Sequence, residues 1–175
     1  AFGPLIAARM AGVIEPRRAV EIAARLSTQF LAEVATHIDP RRSGAVISGI
    51  PPDRIAEVSR VLAQRQEFVT MGTAVGRLSP DALRAALGAL DDETLLRAAF
   101  VMDEKDRLPE LGEILGEDRL VAMIDAARAA GVEYQAIDLL SGLGEQQRAA
   151  ILDELRERDQ ESHREVLAQL ARIGS

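Results

Sequence analysis

Ile38 to Ser59 reads IDPRRSGAVISGIPPDRIAEVS, and twenty-four places earlier Ile14 to Ala35 reads IEPRRAVEIAARLSTQFLAEVA. Seven of these twenty-two positions are identical: Ile14/Ile38, Pro16/Pro40, Arg17/Arg41, Arg18/Arg42, Ala32/Ala56, Glu33/Glu57 and Val34/Val58. Apolar character also agrees at Ile22/Val46, Leu26/Ile50 and Leu31/Ile55. A unit this short cannot bury its apolar face alone, so its recurrence marks stacked supersecondary units. Within each copy the apolar residues recur at helical spacing, as in Phe30, Leu31, Val34 and Ile38 or Ile55, Val58, Val61 and Leu62. Proline punctuates the copies at Pro16, Pro40 and Pro52. A first helical turn tolerates it, because the amides there have no partner within the helix.

Working outward, the first helix is expected from Leu5 to Val13, ending near Gly12, and the second from Pro16 to Leu26. Ser27 or Thr28 caps a third through Ile38. Asp39-Pro40 opens a short helix to Ile50, and Pro51-Pro52-Asp53 stops it and begins another to about Gln66. A second offset, of forty residues, aligns Ile38-Asp39-Pro40 with Leu78-Ser79-Pro80, Ile47 with Leu87 and Ile55 with Leu95. LGEDRLVAMIDAA (Leu115 to Ala127) overlays LSPDALRAALGAL (Leu78 to Leu90), and LSGLGEQQRAAI (Leu140 to Ile151) overlays ISGIPPDRIAEV (Ile47 to Val58). The tail from Leu155 to Arg164 is charged on all sides, and Val166, Leu167, Leu170 and Ile173 suggest a last amphipathic turn or two. The expectation is an all-α chain, a right-handed superhelix or solenoid of short stacked helical hairpins, forming a single domain over 1–175. Its clearest repeats are 14–36, 38–62, 78–102 and 136–155.

Composition agrees. Of 175 residues 47% are hydrophobic, yet there is one Tyr, four Phe and no Trp, so the core must be aliphatic. Net charge is −7, unevenly spread. Residues 1–90 carry eleven Arg against eight acids, whereas 91–175 carry ten basic residues against twenty acids. Such asymmetry can steer partners of opposite sign to each half; a solvated acidic surface is the plainer alternative. Absence of Cys excludes disulfides, thiolate catalysis and Cys-ligated zinc. No apolar run approaches the ~20 residues of a membrane span. The amphipathic start, AFGPLIAARMAGVIEP, lacks the pattern of a signal peptide. A chain that starts without Met reads as a fragment or a processed product, soluble and cytoplasmic.

Three stretches carry a family likeness: HIDPRRSGAVISGIPPDRIAEVSRVL from His37, RLSPDALRAALGALDDETLLRAAFVM from Arg77 and AIDLLSGLGEQQRAAILDEL from Ala136. Their leucine, proline and acid pattern resembles the N-terminal superhelical domain of MgtE-type magnesium transporters, over about two thirds of the chain. The helical-hairpin arrays of the flagellar motor switch protein FliG have a similar texture. The first resemblance implies a bacterial cytosolic domain that holds Mg²⁺ through acidic surfaces and regulates a pore. That family continues into a paired cystathionine-synthase-type domain and a membrane domain, neither of which is present here.

Mg²⁺ prefers hard oxygen ligands and keeps several waters, so one or two convergent carboxylates suffice. The candidates are Asp91-Asp92-Glu93, Asp103-Glu104-Asp106, and above all Glu110, Glu113, Glu117 and Asp118. Spacings of three and four place Glu110, Glu113 and Glu117 on one face of a single helix. The same acids would serve equally as helix starts, at Asp91 and Asp103, and as solvated surface. Gly72/Gly76 and Gly112/Gly116 are small-residue pairs for close packing and not a nucleotide loop. Arg17-Arg18 and Arg41-Arg42 fall where first helical turns are expected, an unfavourable place for cations that would suit an anionic binding strip. Without Lys runs or stacking aromatics they do not read as a nucleic-acid site. His37 and His163 lie in no metal-binding spacing, and Ser43, Ser48 and Ser141 define no nucleophile–base pair. The expected function is a non-enzymatic regulatory module that binds a protein or an adjacent domain of a longer chain, with a homodimer left open. It has no nucleic-acid partner and no direct membrane insertion. The alternative is a magnesium sensor acting through the acidic C-terminal half.

Overall fold

The computed structural model describes residues 3–158 and 160–173. Among them are thirteen α-helices and two short 3-10 turns, and no strand. They form two compact units: residues through Leu90 with Val101–Asp103, and Asp91–Phe100 with Glu104 onward.

The first unit contains α1 (Pro4–Ala11), α2 (Pro16–Ala23), α3 (Thr28–His37), α4 (Gly44–Gly49), α5 (Pro52–Gln64), α6 (Phe68–Ala74), a 3-10 turn (Val75–Arg77) and α7 (Pro80–Ala89). Its helix starts follow from local chemistry. Ser27 Oγ accepts the Phe30 N–H at 3.2 Å and Ser79 Oγ accepts that of Ala82 at 3.3 Å. Pro16, Pro52 and Pro80 each occupy the first helical position, where no intrahelical N–H is needed. Packing skips a helix at each step: α1 lies on α3, α3 on α5, α5 on α7, and α2 on α4. The first copy of the twenty-four-residue repeat covers α2 and α3, and the second covers α4 and α5. The core between α5 and α7 is Ile55, Ala82 and Ala86, flanked by Ile50 and Leu78. Alanine at these contacts lets the helix backbones approach, as an array of short helices requires.

The forty-residue offset has no such counterpart. It equates α4 with α7, yet α7 packs on α5. Two helix starts and ends also differ from expectation. α2 stops at Ala23 instead of Leu26, because the amides of Arg25 and Leu26 turn to the carbonyls three residues back. The Leu26 carbonyl is thereby left to accept from another side chain. Pro40 does not begin a helix: Asp39 Oδ1 accepts the Arg41 N–H at 3.0 Å, and the Asp39 carbonyl accepts those of Arg42 and Ser43. Ser43, at φ −110° and ψ 13°, then breaks the path, so α4 starts only at Gly44. Ile22, whose apolar character matches Val46 in the repeat, is 46% exposed, whereas Val46 is buried.

The second unit contains α8 (Asp92–Phe100), a 3-10 turn (Lys105–Arg107), α9 (Leu108–Leu115), α10 (Glu117–Ala129), α11 (Glu133–Ser141), α12 (Glu145–Arg158) and α13 (Gln160–Ile173). Here too alternate helices pack, α8 on α10, α10 on α12 and α11 on α13, with α12 also against α13. Val121, Ile137, Ile151, Leu155 and Val166 are almost wholly removed from solvent. Among the described residues the charged tail lies in α12 and α13, and beyond it Val166 is buried and Leu167 turned outward. The side chain of Ile173 lies outside the described residues.

Candidate functional site

Glu110 and Glu113 lie on α9, whereas Glu117 and Asp118 lie in the first turn of α10. Gly116 between them has φ 78° and ψ 164°, which ends one helix and starts the next. The single helical face expected for Glu110, Glu113 and Glu117 is therefore not formed. Glu110 is engaged by Arg107, whose Nε and Nη2 donate to Oε2 at 2.9 and 2.7 Å. Glu117 and Asp118 are well placed for the positive end of α10. Among the described residues no group of three or more Asp, Glu or His side chains converges as a metal site.

Asp91, Asp92 and Glu93 are likewise engaged. Asp91 caps α8: Oδ1 accepts the Thr94 N–H at 2.8 Å and Oδ2 accepts the Thr94 hydroxyl at 3.1 Å. The Thr94 N–H bond lowers the Asp91 pKa, opposed by burial and aided by the Thr94 hydroxyl. Asp92 accepts from Arg119 Nε at 2.7 Å, tying α8 to α10. Glu93 holds Arg97 one turn along at 2.8 Å. Asp103 does not open a helix; it lies in a bend before the 3-10 turn at Lys105. Arg128 bridges Glu133 at 3.0 Å and Glu165 at 3.3 Å, linking α10, α11 and α13.

Sequence reasoning missed the polar node of the first unit. Arg54 on α5 donates from Nη2 to the freed Leu26 carbonyl at 2.6 Å. Its Nη1 donates to Thr28 Oγ1 at 3.0 Å and to Glu57 Oε2 at 2.6 Å, and Thr28 donates to the same Glu57 oxygen. The Glu57 carboxyl is held below its ordinary pKa, first by the Thr28 hydroxyl and then by Arg54. No spacing rule joins Arg54 to Leu26 twenty-eight residues earlier; it follows from the stacking of α3 on α5. The node is structural, a tether between successive repeats.

Gly112 does pack closely. A Cβ there would come within 3.0 Å of Leu143 and 3.1 Å of Gln147, whose amide also binds the Pro109 carbonyl. Gly72 is buried on α6, and Gly76 sits in the following 3-10 turn. A cleft of about 270 Å³ between α11 and α13 is lined by Glu133, Ile137, Arg164, Glu165, Gln169 and Arg172. It opens on the surface and holds no histidine or serine. His37 and His163 form no hydrogen bond to a serine or carboxylate among the described residues.

What the surface does offer is apolar side chains. Leu5, Ile6, Met10 and Val13 at the start of the first unit are exposed, with Ile22 on α2 and Val69 on α6. Arg17 and Arg18 occupy the first turn of α2, as expected, where the Glu15 carboxylate accepts both backbone N–H groups at 3.0 Å. Arg41 and Arg42 sit in the Asp39 turn instead. Comparison with protein-family models, curated proteins and solved structures finds no match. The likeness to the transporter domain therefore rests on repeat texture alone.

Proposed function

We propose that this chain is a non-enzymatic helical-repeat module that binds another protein, or an adjacent domain of a longer chain, in a regulatory role. The observation that carries this reading is the outward placement of large apolar side chains on a well-packed all-α scaffold. Leu5, Ile6, Met10 and Val13 cluster within nine residues, and clustered exposed apolar surface marks interaction sites more often than isolated residues do. Polar chemistry inside both units is engaged in capping a helix, as at Asp91, or in holding helices together, as at Arg54 and Arg128. The superhelical form drawn from the repeats would give such a module an extended binding surface. Among the described residues no helix is long and apolar enough to cross a membrane.

The test is site-specific photo-crosslinking in the native cell, with the probe placed at Ile6, Met10, Ile22, Val69, Glu113 and Leu167 in turn. Crosslinks to a second protein or to another domain, concentrated at a subset of these positions, are expected. No crosslink at any position, together with a small-molecule turnover by the purified chain, would overturn the reading.

A further inference from the structure

α1 is built inside out. Projected at ~100° per residue, Leu5, Arg9, Ile6 and Met10 share one arc of about 140°. Ala7, Ala8 and Ala11 take the opposite side, where Ala8 is buried. The small residues thus face α3, while Leu5 is 49%, Ile6 48% and Met10 40% exposed, with Val13 just beyond the helix at 72%. In the same row α3 is covered by α1 and α5, and α5 by α3 and α7. A helix laid on the outer face of α1 would stand to it as α1 stands to α3.

We propose, resting on the interaction-module reading above, that this face docks an amphipathic helix of a partner protein whose apolar stripe is flanked by carboxylates. The charge pattern selects that partner. Arg9 projects within the apolar arc, Arg17 and Arg18 follow Val13 by four and five residues, and Arg42 lies beside Gly12. Among the described residues none of these guanidinium groups has an ion-pair partner, and the Glu15 carboxylate is held by backbone N–H groups. From Gly3 to Ile14 there is no acidic residue. An isologous pairing of α1 with a second copy would therefore set Arg9 toward Arg9 without a counter-charge. A lipid surface is disfavoured too, because Arg9 falls in the middle of the apolar arc and not at its edge.

Two synthetic amphipathic helices of about fifteen residues test this, with leucines at i, i+3, i+4 and i+7 and either glutamates or lysines on the flanks. Fluorescence anisotropy against the full chain should show saturable binding of the glutamate peptide, weakening with salt, and about tenfold poorer binding of the lysine peptide. Ile6→Ser and Val13→Ser should each weaken the glutamate peptide about fivefold, and Arg9→Gln should weaken it and flatten its salt dependence. Val13 lies outside α1, so its variant stays informative if Ile6→Ser disturbs the helix. Equal binding of the two peptides, no binding of either, or indifference to all three substitutions would overturn the proposal. So would a concentration-dependent dimer abolished by Val13→Ser, which makes a second copy the occupant. Sedimentation with phosphatidylglycerol vesicles that the glutamate peptide does not compete away would do the same in favour of a membrane. Photo-crosslinks from other positions but none from Ile6 or Met10 would remove this site and leave the interaction module standing.

Discussion

Gly116, at φ 78° and ψ 164°, occupies backbone space that only glycine enters without strain. A Cβ there would meet no neighbour, so the conformation alone decides the effect. Gly116→Ala should lower stability by about 1–3 kcal/mol, read as a shift in a urea midpoint with unchanged slope. Gln66 gives the opposite sign. It sits at φ 59° just past α5, where the Glu67 N–H reaches back to the Leu62 carbonyl at 2.9 Å and closes the helix end. Gln66→Gly should stabilise by up to ~1 kcal/mol, because the left-handed position favours glycine. A lower melting temperature would mean that the Gln66 side chain makes up for its strained backbone. At Asp91 the argument is one of linkage. Its folded pKa is lowered by the Thr94 bonds, so its contribution is present above the ordinary carboxylate range and is lost as pH falls through the folded value. Asp91→Ala should therefore cost about 1 kcal/mol at neutral pH, and the deficit should shrink progressively below ~pH 4. A deficit constant with pH would show that shape, not charge, makes the cap.

Among the elements, α5 joins the first unit through Arg54, whose fork serves Leu26, Thr28 and Glu57 at once. Arg54→Leu keeps the stem but strands those acceptors, and should destabilise by about 1–3 kcal/mol. Arg54→Lys should not recover it, since a single ammonium cannot span the carbonyl and the Thr28–Glu57 pair with the guanidinium's geometry. Full stability in the lysine variant would reduce the node to a surface ion pair. The same element shows what the sequence could reveal. Pro52 at the first position of α5 and the spacing of Ile55 and Leu62 are local signals, and both are realised. The partner carbonyl of Leu26 was not legible, because it depends on α2 ending three residues early. Pro40 misled for a related reason: a Pro following Asp fits the first turn of a helix or an Asp-closed turn equally well, and Ser43 chose the turn. On α1, by contrast, the alternation of Ala7, Ala8 and Ala11 with Leu5, Ile6 and Met10 was in plain view. Amphipathicity tells that a helix has two faces, and only packing tells that the alanine face is the inner one.

At the scale of the whole chain, charge is the property to test. The acidic excess after residue 90 suggested a metal site, because i, i+3 and i+7 spacing puts carboxylates together only if one helix runs unbroken. Gly116 breaks it, leaving Glu110 paired with Arg107 and Glu117 and Asp118 at the start of α10. The remaining acids repel one another at long range, and ordinary salt screens such repulsion without needing a site. Raising NaCl from low concentration should therefore raise the melting temperature, and MgCl₂ at matched ionic strength should do no more. A saturable magnesium site restricted to the folded form would instead add RT ln(1 + [Mg²⁺]/Kd), ~1.4 kcal/mol at ten times Kd. Such an excess, lost when Glu113 and Glu117 are both changed to Gln, would reinstate magnesium sensing. Coinciding melting curves in the two salts would leave screening of like charges as the whole effect and remove magnesium sensing for the isolated chain.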